Sequence, residues 1–320
     1  MKTMRVFTII FWAVAAIALI GLAIWFLTGS VFGIGRNGWS VGAAWESISG
    51  PFEAAGTYSV GVDNVSSIYI DWVSGDITVI PYDGGEIQIT EYARRELHDD
   101  EKLQYSSASG TLSIKFSSGN SWMRNMPSKK LEVYIPRKIS ENFDSFSIDS
   151  TSGGVSVENI SAGAFKADTV SGKINLTNIT SQTFEANTTS GSVTISSVYT
   201  DDIKFNSVSG TFRLTDVNAK KLSGNSTSGD LDLSGAFDAV DVDSISGRIS
   251  ITSSVVPWSL KADSTSGNIT VTVPDDGPIS VSHSSVSGKL SSDIPIITQG
   301  KDPKFRFSTV SGEVKIHALG

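Results

Sequence analysis

The 320 residues could hold one large or two ordinary domains, and only 18 % of them are charged, against about 25 % in typical soluble domains. Apart from Lys2 and Arg5, every charge lies at or beyond Arg36, where 33 acidic residues face 23 basic ones; a body at −10 argues against a nucleic-acid footprint. The absence of cysteine excludes disulfides, thiolate zinc sites, cysteine nucleophiles and a lipidated cysteine anchor, and three singly scattered histidines (His98, His283, His317) argue against a histidine metal cluster.

Residues 7–27, FTIIFWAVAAIALIGLAIWFL, carry no charge over 21 positions. As a helix rising ~1.5 Å per residue they would span about 31 Å, close to a hydrocarbon core of roughly 30 Å. A secretory signal peptide is the alternative, but its apolar region is usually shorter and ends at a small-x-small cleavage site, for which LTGSVFGIG is a poor candidate. Lys2 and Arg5 against Arg36 place the amino terminus in the cytoplasm and the rest outside. Residues 28–65 are glycine-rich and lack sustained periodicity, as expected of a juxtamembrane tether, although Trp39, Trp45 and Phe52 could cap the folded body instead.

From there a Ser-Gly pair recurs. It stands at Ser152-Gly153, Ser171-Gly172, Ser190-Gly191, Ser209-Gly210 and Ser228-Gly229, nineteen residues apart, and continues at Gly247, Gly267, Gly288 and Gly312 with spacings of 18, 20, 21 and 24. Ser74-Gly75 and Ser109-Gly110 fit the same template upstream. Counting from the glycine, apolar columns run at −7 and −5 (Phe165, Ala167) and at +2 and +4 (Ile174, Leu176), with polar residues between them. That is period-two alternation on both sides of the glycine, hence two half-buried strands per repeat. A helical period is suggested only briefly, around Arg94 to Leu103.

Two architectures satisfy the pattern: stacked coils, or an array of antiparallel hairpins with Ser-Gly as the turn. Polar columns favour the coils. Position −1 is always Ser; position −3 is Ser or Thr except at Trp72; position −4 reads Asp149, Asp168, Asn187, Asn206, Asn225, Asp243, Asp263. Identical residues in long columns suit parallel, in-register stacking. Charges one repeat apart also alternate in sign, as in Arg213 with Asp232 and Asp230 with Arg248, although Asp149 beside Asp168 and Asp243 beside Asp263 do not. The expected fold is therefore all-β: a parallel β-helix or β-solenoid of about 11 coils over residues 66–320, preceded by one transmembrane α-helix. Glycine at position 0 would be required by a positive φ at a corner or by close backbone approach.

Two stretches break the repeat, Glu91–Gln104 and Ser117–Lys130. The second carries Trp122, Met123, Arg124 and Met126, which make it a candidate contact loop for membrane or partner; a lid over the first coils is the other reading.

The run LEVYIPRKISENFDSFSIDSTSGGVSVENI, followed by KADTVSGKINLTNI and its copies, resembles the bacterial putative-adhesin family of β-strand-repeat surface proteins, with its T/V-S-G-D/K-I/V units. WVSGDITVIPYDGGEIQITEY resembles that family's opening unit, and the likeness covers about residues 66–318. It implies an extracytoplasmic domain behind one membrane helix and a role in adhesion, and it brings no catalytic or ligand-binding residues. The expected protein is membrane-anchored and non-catalytic, acting in adhesion, envelope interaction or envelope-stress sensing, without a cofactor. Its partners would be the bilayer, through residues 7–27, and a cell-wall polymer or surface protein, not nucleic acid. The alternatives are a polysaccharide-active β-helix enzyme using Asp149 with Asp168 or Asp243 with Asp263, and calcium binding between stacked aspartates.

Overall fold

Apolar residues at every second position, punctuated by glycine and serine corners, produce strands along most of the described chain. The computed structural model describes residues 51–117, 129–298 and 304–320. In order, β1 (Glu53–Gly61), β2 (Ser67–Trp72), β3 (Ile77–Tyr82) and β4 (Glu86–Ala93) are followed by β5 (Gln104–Ala108), β6 (Thr111–Lys115) and β7 (Lys129–Pro136). One helical turn, α1 (Arg137–Ser140), leads to β8 (Phe143–Ser150) and the long β9 (Val155–Thr169), β10 (Ile174–Thr188), β11 (Val193–Ser207), β12 (Phe212–Ser226) and β13 (Leu231–Ser244). Then come β14 (Ile249–Ser253), β15 (Ser259–Ser264), β16 (Ile269–Val273), β17 (Ile279–Ser285), β18 (Leu290–Ser292), β19 (Ile296–Ile297), β20 (Phe305–Thr309) and β21 (Val314–Ala318). No described helix is long and apolar enough to cross a membrane; residues 7–27 lie outside the described residues. Arg94 to Leu103, where a brief helical period was suggested, forms turns rather than helix.

The repeats stack in parallel. Phe184 of β10 lies between Phe165 of β9 and Ile203 of β11, and the nineteen-residue offset holds from β8 to β12. Offsets of 18 and 20 carry β13 onto β14 and β15. The hairpin array is thereby overturned: strands flanking a repeat's Ser-Gly corner pair with neighbouring coils, not with each other. Ser109-Gly110 is the exception and does not fit the repeat. It joins β5 to β6 as an antiparallel hairpin with Ala108 opposite Thr111, and its φ angles of 51° and 82° are those of a two-residue primed turn.

Each long strand bends twice. In β10 the inside-outside alternation breaks at Thr177-Asn178 and at Gln182-Thr183, where two adjacent residues both face outward. Asn159, Asn178, Ser197 and Asp216 occupy the first of these corners with φ near +55°, a region that short polar side chains tolerate. A third straight run per coil follows, with Ile160, Ile179, Val198 and Val217 buried in a column seven residues after the glycine. Three runs close around a core of stacked columns. Phe146, Phe165 and Phe184 lie ring over ring at 5.6 and 5.2 Å, while Phe205 occupies the space beside Gly224.

The stacked corner glycines do not need positive φ, apart from Gly75 at +90°. A Cβ on Gly172, Gly191 or Gly210 would fall 1.7–1.8 Å from the carbonyl oxygen of the preceding coil's glycine. Close backbone approach is the reason for this column.

At both ends the stacking order departs from chain order. β2 and β3 lie between β8/β9 on one side and β6/β7 on the other, so the first coil in sequence is second in space. At the far end β20 and β21, the last strands of the chain, are inserted between β15/β16 and β17/β18. Near the start, β4 lies antiparallel on β7 and β1 antiparallel on β4, so residues 53–61 of the glycine-rich segment are folded onto the body.

Candidate functional site

The hydroxyl columns are committed to the coils. Ser or Thr at −3 is buried, and its oxygen accepts the N–H of its own glycine, at 2.9 Å for Thr169 and Gly172 and 2.8 Å for Thr188 and Gly191. Serine at −1 is exposed, yet it donates back to the previous coil, Ser190 to the Val170 carbonyl at 3.2 Å and Ser228 to that of Val208 at 3.1 Å. Such bonds satisfy corner groups that would otherwise be left unpaired.

The −4 column is where charge accumulates. Its members stand in register as Asp71, Asp149, Asp168, Asn187, Asn206, Asn225, Asp243 and Asp263. In the middle, each amide nitrogen donates to the side-chain oxygen one coil back: Asn187 to Asp168 and Asn206 to Asn187, both at 2.8 Å, and Asn225 to Asn206 at 3.0 Å. Where aspartates adjoin, a lysine two residues earlier on the same strand face sits among them. Lys166 Nζ is 2.6 Å from Asp168 and 3.9 Å from Asp149, whose other oxygen accepts the Tyr69 hydroxyl at 3.0 Å. Lys261 Nζ reaches Asp241, Asp243 and Asp263 at 2.8, 3.2 and 3.4 Å. Both acid pairs expected from sequence therefore do stack, each with its own cation, a feature the sequence reading missed although the two-residue spacing could have revealed it.

Burial pushes the Asp243 and Asp263 carboxyls above the usual range, against the pull of Lys261. Burial and the neighbouring Asp149 do the same to Asp71. Burial opposes charging of Lys261, but its bond to Asp241 and the surrounding carboxylates outweigh this and hold its pKa up. The ammonium takes the place between the carboxylates that an added cation would need. Among the described residues no three His, Asp or Glu side chains are grouped to hold a metal.

A second charged feature lies in the amino-terminal cap. Lys129 and Glu91 are fully buried and 2.5 Å apart. Lys129 Nζ also donates to the Glu101 carbonyl at 2.7 Å and to the Phe116 carbonyl, and it lies 3.9 Å from the Phe116 ring centre. Glu91 accepts the Leu103 N–H at 3.0 Å, while Arg95 holds Glu101 through two bonds and keeps its carboxyl down at about 2. Burial leaves the Lys129 pKa below the ordinary lysine value in spite of Glu91. This cluster ties the 94–103 insertion to β4 and β7. Trp122, Met123, Arg124 and Met126 fall outside the described residues. His283 lies half-buried on β17, and His317, for which sequence suggested no partner, contacts Asp293 at 2.6 Å.

Residues 65–317 match the family model Toastrack DUF4097. The fold is similar to that of a putative adhesin from Parabacteroides merdae, with a TM-score of 0.54 and 14 % identity over 83 % of this chain and 96 % of the other. It is similar to a putative adhesin from Parabacteroides distasonis, at 0.53 and 13 % over 85 % and 98 %. A putative lipid binding protein from that organism aligns at 0.51 and 15 % over 83 % and 96 %. No curated protein matches the chain.

Proposed function

Because the chain belongs to the Toastrack DUF4097 family, we propose that it is a surface module, anchored through residues 7–27, that acts without turnover in adhesion, envelope interaction or envelope-stress sensing. One observation carries this reading: the serine, threonine and asparagine columns are bonded within a continuous stack, so the chain's polar residues build a long repetitive surface rather than a concave reaction centre. The adhesin names of two structural relatives agree with it. Polysaccharide cleavage by the aspartate pairs is less favoured, since Lys166 and Lys261 occupy the space between the acids.

The test is cell fractionation with external protease. The full chain is expected in the membrane fraction and cleavable from outside intact cells, and deletion of residues 7–27 should release it and abolish cell attachment. Wild-type chain in the soluble fraction would sink the anchor, and attachment unchanged by the deletion would sink the adhesive role.

A further inference from the structure

We propose that the carboxy-terminal end of the stack pairs with the same end of a second copy of this chain, strand edge to strand edge. β17 and β18 form the terminal coil. Each pairs on one side with the inserted β20 and β21, and β19 covers only Ile279 and Ser280 on the other side of β17. The Ile279 N–H points to that far side, toward the Pro295 carbonyl, so by strand alternation the N–H and C=O groups of Val281, His283 and Ser285 face outward along the rod axis. The pairing of Ser280 with Ile297 of β19 uses the Val281 N–H, and among the described residues no strand pairs with His283 or Ser285 on that side.

The end is unfinished in its side chains as well. His283, Leu290 and Ser292 occupy inward columns but are half-buried, whereas Phe307, Val314 and Ile316, one coil further in, are buried. Ser280 Oγ and His283 Nε2, two of the three buried side-chain polar atoms without a hydrogen-bond partner among the described residues, both belong to β17. Val286 is 83 % exposed and Ile297 51 % exposed beside this edge.

The edge lacks the devices that would keep an identical edge away. Residues 279–287, ISVSHSSVS, contain no Lys, Arg, Asp, Glu or Pro, the devices by which edge strands are normally kept apart. Although the chain as a whole carries −8, this strand itself bears no charge that opposes an identical one. Two identical edges meet about a twofold axis, with β17 antiparallel to its counterpart. The opposite end is finished differently: Tyr105 of β5 packs on Tyr58 of β1, ring centres 5.2 Å apart. Only the consequence, rods on opposed membranes joined at their tips, rests on the anchoring proposed above.

The chain has no cysteine, which makes the test direct. Full-length Val286→Cys, solubilised in detergent and treated with a mild oxidant, is expected to form a disulfide-linked dimer several-fold more readily than full-length Tyr105→Cys. Adding His283→Pro should suppress that dimer while leaving the thermal midpoint close to its starting value, because proline there removes an outward N–H and no bond to β20. Equal cross-linking at positions 286 and 105, or a dimer that survives His283→Pro in folded protein, overturns the proposal. The readout does not depend on where the protein resides in the cell, so loss of the anchor reading would leave it intact.

Discussion

The two kinds of corner residue answer differently to the gain or loss of a side chain. Gly191→Ala would place a Cβ 1.8 Å from the Gly172 carbonyl oxygen and force adjacent coils apart, so a loss of at least about 2 kcal/mol is expected in urea unfolding. Asn178→Gly, at a corner with φ of 54°, should stay within about 0.5 kcal/mol, since glycine accepts that angle freely and only an exposed bond to Asn159 is lost. The glycine repeat was plain in the sequence; its cause was not, because local spacing does not report how near the next coil comes. Asp243 offers a third residue-scale check. Its carboxyl is raised by burial, so the protonated form is favoured by folding, and this contribution is present at low pH and lost as pH rises through the folded pKa. Asp243→Asn should therefore raise the melting midpoint at pH 7 by about 1–3 °C, with the gain shrinking below about pH 4. A lower midpoint at pH 7 would show that Lys261 depends on that carboxylate.

At the scale of elements, the strands were legible and the third run of each coil was not. Ile160, Ile179, Val198 and Val217 recur every nineteen residues, but two outward residues on each side break the alternation, and a search for continuous period two passes over them. The cap was hidden for a different reason. Glu91 and Lys129 are 38 positions apart, with nothing local to mark them as partners. Lys129→Met alone leaves Glu91 buried without its cation and should cost about 3–5 kcal/mol; adding Glu91→Leu should recover part of that loss. Additive losses in the double variant would mean that the two side chains do not act as a pair.

Over the whole molecule, the order of coils differs from the order of the chain at both ends. Because β20 and β21 fill a slot between β15/β16 and β17/β18, the terminal coil has no neighbour without them. Ending the chain at residue 298 should abolish amide protection from residue 279 to 297 and weaken it in β15 and β16, while β9 to β12 keep theirs. Full protection of β17 in the shortened chain would show that this coil docks directly on β15. The amino-acid sequence alone determined the repeat, the strand period and the family, because these depend on residues at fixed separations along one chain. Only the tertiary structure decided whether the repeats stack or form hairpins, which coil follows which, and which lysine settles between which acids. Those outcomes depend on contacts between segments far apart in sequence, and several stacking orders satisfy the same local pattern equally well.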